Sequence, residues 1–247
     1  MPRIARLAAA LLAAAAVLLA ACGVDEPTNS SALAQTESPS GPIERASAAA
    51  VEESIVRIVA FGCGTPAVGT GFAVDTNLII TNAHIISGRD PETLSVQQID
   101  GDEFAAVIVG FDADLDLALL RVDGAEFAPL NLVTEVPIVD GVAIAVRSQN
   151  QENNFSEIDF SVDAPVIINW DGVFSDTEST FRGIRVDADI QRGDSGSPLL
   201  INDRDVIGLV QSTTRGQPRG YAVRSSEIVG FVDSIDDSVA VVASRCA

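Results

Sequence analysis

The chain has 247 residues, enough for one or two domains, and its hydrophobic content of 47% excludes a wholly disordered protein. It carries 15 basic residues, all of them Arg, against 35 acidic ones, for a net charge of −20. That balance excludes nucleic acid and anionic lipid headgroups as partners, because both need a dense basic face.

Met1 to Ala21 combine Arg3 and Arg6 with an Ala/Leu/Val run too short for a stable span, the pattern of a signal peptide. The run ends in Leu19-Ala20-Ala21-Cys22-Gly23, which resembles the bacterial lipobox. Cys22 is then the lipidated first residue of the mature chain, held on the extracytoplasmic face of the cell membrane by its acyl chains alone. Without lipidation the same leader implies secretion. Residues 22–48 are Ser, Thr, Pro, Glu, Gln and Ala with almost no large apolar side chain, and read as a flexible tether. Residues 49–247 are expected to form one folded domain.

Within that domain Ile55–Ala60 has strand composition. Twelve short strand candidates follow: Gly71–Val74, Leu78–Thr81, Leu94–Ile99, Phe104–Phe111, Leu117–Val122, Val142–Arg147, Ile158–Val162, Ala164–Trp170, Gly183–Asp187, Pro198–Ile201, Val206–Ser212 and Gly220–Val223. Turn signals between them predict an all-β barrel or sandwich. Ser225-Ser226-Glu227 offers a helix N-cap, and Ile228, Val229, Val232 and Ile235 follow at helical spacing, so a C-terminal α-helix closes the unit. Cys63 and Cys246 are the remaining cysteines. In an oxidising compartment they are expected to pair, tying the C-terminus to the first strands and removing on the order of 5 kcal/mol of unfolded-state entropy.

The chain has a single histidine, His84, just after the apolar strand Leu78–Thr81. Gly193-Asp194-Ser195-Gly196-Ser197-Pro198 places a serine between glycines, where a tight turn aims the amides of Gly193 and Ser195 at one point. Donors so placed stabilise the oxyanion of a tetrahedral intermediate by about 3 to 4 kcal/mol each. A serine needs a base, and with no Lys and no second imidazole His84 is the available one. The base needs an acid to hold its tautomer. Asp112, Asp114 and Asp116 are candidates; Asp116 is chosen because it directly precedes the apolar strand Leu117–Leu120, whereas the other two fit a solvated turn.

Thr81-Asn82-Ala83-His84, Asp116-Leu117-Ala118 and Gly193-Asp194-Ser195-Gly196-Ser197-Pro198, in this order, resemble the chymotrypsin-like (trypsin-like) serine proteases across about residues 52–235. The first two motifs and Asp187-Ala188-Asp189-Ile190 look closer to the bacterial Deg-type branch, and the two outlying cysteines resemble those of membrane-anchored actinobacterial members. The resemblance implies two six-stranded antiparallel barrels, with His84 and Asp116 on the first and Ser195 on the second. It also implies a peptidase that works through an acyl-enzyme on polypeptide substrates and needs neither cofactor nor metal.

Ser197 departs from the family's usual Gly, and a small residue there should fit. No PDZ module follows Ser195 in this sequence, so peptide-sensing by such a module is not expected. By family position Asp189 is the base of the primary specificity pocket, which suggests cleavage after Arg or Lys, with Gln211, Ser212 and Thr213 as one wall and Arg219 opposite. In the Deg-like register Asp189 is instead a solvated loop carboxylate, and Arg192 or Arg219 could neutralise it. Carboxylate runs such as Asp100-Gly101-Asp102-Glu103 read as solvated turns rather than cation sites. The alternative function is a catalytically silent or latent pseudoprotease that serves as a surface binding module. The sequence assigns no oligomeric state.

Overall fold

The alternating and continuous apolar runs between residues 55 and 122 fold into a closed barrel. The computed structural model describes residues 45–62, 64–149, 152–171, 173, 178–214 and 216–243. The leader, Cys22, Cys63 and Cys246 lie outside these residues, and so does the tether up to residue 44. The first barrel contains β1 (Ile55–Gly62), β2 (Thr65–Asp75), β3 (Leu78–Thr81), β4 (Ser95–Gln97), β5 (Glu103–Asp112) and β6 (Leu117–Val122), ordered β1-β2-β3-β6-β5-β4 and closed antiparallel by β1 on β4.

A two-residue strand, β7 (Asn131–Leu132), leads into the second sheet. This sheet comprises β8 (Asp140–Gln149), β9 (Glu152–Trp170), β10 (Ser179–Ala188), β11 (Pro198–Leu200), β12 (Asp205–Thr213) and β13 (Arg219–Arg224). Its order is β11-β8-β9-β10-β13-β12, and β11 pairs with β12 to complete a six-stranded antiparallel ring; β7 adds to β12 in parallel. The all-β, two-barrel expectation therefore holds.

Period-two alternation explains how the barrels meet. Ile79 of β3 and Ala118, Leu120 and Val122 of β6 fill the first barrel. Their neighbours Leu78, Ile80, Leu117 and Leu119 face the other way and pack in one cluster with Val142, Ile144 and Val146 of β8. Ala143 and Ala145 of β8 turn into the second barrel. Strands at the seam are thus buried on both faces, and they read in sequence as unbroken apolar runs.

Two expectations need correction. Ile158–Val162 and Ala164–Trp170 are one strand, β9: the register slips opposite Arg185/Val186 so that Asp163 bulges outward without ending the ladder. The closing helix, α2 (Ser225–Asp233), is not capped by Ser225. Arg224 occupies the N-cap, and the Ser225 hydroxyl donates to the Val206 carbonyl at 2.7 Å, satisfying a buried β12 acceptor instead. Ahead of β1, Ala46 is buried, Arg45 pairs with Glu157 and Asp159, and Ala48 begins a 3-10 turn over Ala48–Ser54.

Candidate active site

His84 sits on a single helical turn, α1 (Ala83–Ile86), that follows β3. Ala83, Ile85 and Ile86 are buried, which leaves position 84 as the one turned outward; its side chain keeps 38% exposure. Asp116 lies in the turn entering β6 with φ +57, a left-handed conformation that Asp tolerates better than most residues, and it is fully buried.

The Asp116 carboxylate accepts the His84 backbone N–H at 2.9 Å through Oδ1. Through Oδ2 it pairs with His84 Nδ1 at 2.8 Å and accepts Asn82 Nδ2 at 3.2 Å. Its carbonyl takes Ala83 N–H and Asn82 Nδ2. An ionised carboxylate only accepts, so Nδ1 is the protonated ring nitrogen and Nε2 is left with its lone pair. Burial disfavours the imidazolium, but the charge and hydrogen bond of Asp116 outweigh it, and the His84 pKa is raised above its ordinary 6.5.

Ser195 stands between two glycines at positive φ, Gly193 at +98 and Gly196 at +88. A Cβ on Gly196 would lie 1.8 Å from the Thr70 carbonyl oxygen, so glycine is required there by both conformation and space. Gly196 N–H donates to Val210, Val210 N–H to Ser197, and Thr70 N–H to the Ser195 carbonyl at 2.9 Å. Ser197 is buried, and its hydroxyl has no hydrogen-bond partner among the described residues. The amides of Gly193 and Ser195 donate to no group among the described residues.

α1 and the serine loop meet at β2. A Cβ on Gly69 would touch Ile85 Cδ1 at 2.2 Å and the Ser195 carbonyl oxygen at 3.2 Å. The Ser195 hydroxyl donates to the Gln211 carbonyl at 3.3 Å and makes no hydrogen bond to His84. Among the described residues no three His, Cys, Asp or Glu side chains gather as a metal site.

The residues expected to shape substrate binding separate. Asp189 and Thr213 border a depression of about 320 Å³ together with Ile190, Gln217 and Pro218. Asp189 is exposed, and among the described residues it accepts a 3.3 Å bond from Gln191 Nε2 alone. Gln211 is buried with its Nε2 unpartnered among the described residues, and Ser212 is exposed; neither lines the depression. Arg219 contributes its carbonyl, which accepts Thr213 Oγ1 and Thr214 N–H. A larger hollow of about 790 Å³, bordered by Arg45, Pro137, Phe160 and Asp187, includes none of the His84, Asp116 or Ser195 group. Asn82 and Thr70 were not anticipated as supports of the site. Their signal in sequence is weak, since each works through a buried polar contact that only the folded chain creates.

The family model described as the trypsin-like peptidase domain matches residues 69–209. The chain belongs to the trypsin-like peptidases. This peptidase domain is 28% identical over 203 residues to the serine protease Rv3671c of Mycobacterium tuberculosis, an alignment covering 80% of this chain and 50% of that protein. It is 32% identical over 176 residues to the chloroplastic Protease Do-like 1 of Arabidopsis thaliana, covering 68% and 37%. The chain thus spans half or less of the length of these curated relatives. The crystal structure of the active form of the Rv3671c protease superposes with a TM-score of 0.73 at 23% identity, over 91% of this chain and 99% of that one, which establishes the shared fold.

Proposed function

We propose that the domain is a serine endopeptidase in which Ser195 attacks the scissile carbonyl, His84 accepts its proton and later returns it to the leaving amine, and Asp116 orients His84. The reading is carried by the serine loop, where two amides without an internal acceptor flank the hydroxyl and supply an oxyanion hole. Asp116 adds the correct tautomer of the base, with Nε2 as acceptor. In the resting molecule the hydroxyl rests on the Gln211 carbonyl. Catalysis requires it to turn to Nε2, and catalytic hydrogen bonds commonly close only when substrate is bound.

The substrate is polypeptide, met on the extracytoplasmic side if Cys22 is lipidated and residues 22–44 serve as the tether. The −20 charge would draw cationic segments toward the domain at low ionic strength. Asp189 is an acidic group at the edge of the depression it shares with Thr213 and Pro218, which supports a preference for Arg or Lys; replacing it with Ser should lower kcat/KM for such peptides by about tenfold, roughly 1.4 kcal/mol.

A fluorophosphonate probe tests the central reading. Stoichiometric labelling that vanishes in Ser195→Ala is the expected result. No labelling of the folded, oxidised protein would overturn it in favour of a binding module built on a peptidase fold.

A further inference from the structure

Asp116 is held by Asn82, Ala83 and His84 on one side, but the turn that carries it is also gripped from the second sheet. Trp170 and Ser179 are cross-strand partners in the last pair of the β9–β10 ladder. Both side chains reach the same residue of the β5–β6 turn. Trp170 Nε1–H donates to the Asp114 carbonyl at 2.8 Å, and the Ser179 hydroxyl donates to Asp114 Oδ1 at 2.5 Å. Beyond that pair, Val173 N–H donates to the Ala113 carbonyl at 3.2 Å.

Within the turn, Asp112 Oδ1 accepts the Asp114 and Leu115 N–H groups at 2.9 and 2.8 Å, which shapes its first half. Asp116 follows at φ +57, a conformation uncommon for any residue with a side chain. Only Leu115 separates Asp114 from Asp116, so a shift of the Asp114 peptide passes to the carboxylate that faces His84 Nδ1. Leu115 and Trp170 pack against one hydrophobic cluster, and Ser179 is buried, whereas Asp114 is exposed. Water is an alternative partner for an exposed carboxylate, so its capture by the Ser179 hydroxyl orients the turn and adds little to stability.

We infer that Trp170 and Ser179 are positioning residues that act through Asp114, bracing the acid-bearing turn so that Asp116 meets His84 Nδ1. The inference rests on the peptidase reading and deepens it. When the brace is released the turn relaxes, the Asp116–His84 bond lengthens, and both the tautomer and the support of the imidazolium weaken. Among the described residues neither side chain bonds to His84 or Ser195; their bonds go to Asp114. The loss therefore falls on turnover rather than on substrate binding.

The test compares Ser179→Ala, Trp170→Phe and their double variant in the full chain with Ser161→Ala, which removes a similar hydroxyl-to-carboxylate bond to Asp140 elsewhere on β9. Values of kcat and KM on a peptide substrate and the pH profile of kcat/KM are measured for each. The double variant is expected to lower kcat by about tenfold to 100-fold at little-changed KM, and each single variant by part of that. The acid limb should move down toward pH 6.5, because Asp116 is the charged group that raises the His84 pKa. Ser161→Ala should keep the wild-type kcat and limb. Trp170 is the chain's one tryptophan, so its emission follows the brace directly and should shift to longer wavelength in Ser179→Ala.

If the double variant does not fold, Asp114→Ala carries the test from the exposed side of the same bond. It should reproduce the Ser179→Ala loss, with no further loss when the two are combined. Wild-type kcat with an unmoved limb in the folded variants would overturn the inference, and so would additive losses in that pair. A raised KM at wild-type kcat would also overturn it, because the side chains would then be touching substrate. Unmoved Trp170 emission in Ser179→Ala would show two separate contacts rather than one brace. Absence of fluorophosphonate labelling in the wild-type protein would instead overturn the peptidase reading, so the two failures are distinguishable.

Discussion

At His84 two opposing effects act on one ring: burial favours the neutral form, and the Asp116 carboxylate favours the charged one and prevails. A proposed general base works only when neutral. Because the pKa is raised, the acid limb of kcat/KM should lie above pH 6.5, and activity should fall as pH drops through it. Asp116→Asn should move that limb down and reduce kcat by about 10⁴, since the amide no longer selects the tautomer. A pH–rate profile of both proteins checks this; a limb unmoved by the substitution would contradict the assignment. The same shift bears on stability with the opposite dependence. A group whose pKa rises on folding stabilises fully below its unfolded value of about 6.5, and that contribution is lost as pH climbs through the folded value. Melting of the Ser195→Ala protein should therefore show a decline across that window that His84→Gln lacks. The histidine itself was legible in sequence, being the only one, and so was the choice of Asp116 from three acids. Asp112 accepts Asp114 and Leu115 amides within its own turn, and Asp114 accepts the Ser179 hydroxyl, so neither is placed on the ring.

Turns and strand ends decide what each element contributes. The serine turn depends on Gly196, whose φ of +88 and contact with Thr70 leave no space for a methyl group. Gly196→Ala should destabilise the domain by about 3 kcal/mol or more, combining backbone strain with overpacking, and should abolish activity. Denaturant unfolding measures the first effect, and a loss under about 1 kcal/mol would contradict the geometry. Strand positions in sequence were readable from β-branched and apolar composition, but their limits were not. Asp163 and Pro165 interrupt the apolar pattern of β9, yet a bulge absorbs the former and the ladder with β10 continues. β7 is two residues long and carries no periodicity to detect. Ser225 looked like a cap because Ser commonly is one; a buried carbonyl on β12 claims its hydroxyl instead.

Over the whole molecule, Thr70 joins what the sequence keeps apart. Its buried hydroxyl accepts the β8 amide of Val146, while its carbonyl takes the Thr81 hydroxyl and its N–H holds the serine loop. Thr70→Val leaves the Val146 N–H buried without an acceptor and should cost about 1 to 3 kcal/mol, read by thermal melting. If that melt were unchanged, the seam would owe nothing to this contact. The proposed Cys63–Cys246 bridge belongs to this scale too. Arg89 donates to the Gly62 carbonyl, and Gly88 N–H donates to the Ala243 carbonyl, so Gly62 and Ala243, described residues close in sequence to the two cysteines, both meet the segment that follows α1. Intact mass of the unreduced protein should be about 2 Da below the reduced form, with melting lowered on reduction; equal masses would exclude the bridge.

The amino-acid order alone determined the all-β class, the helix at the end, and the residue types of the candidate site, because strand period, turn glycines and a solitary imidazole are local properties. Tertiary structure decided which alternate face of β3, β6 and β8 meets the other barrel, how exposed Asp189 is, and which cation faces Asp194. Those outcomes depend on closure of two barrels, which brings into contact groups such as Arg147 and Asp194 that no local pattern links.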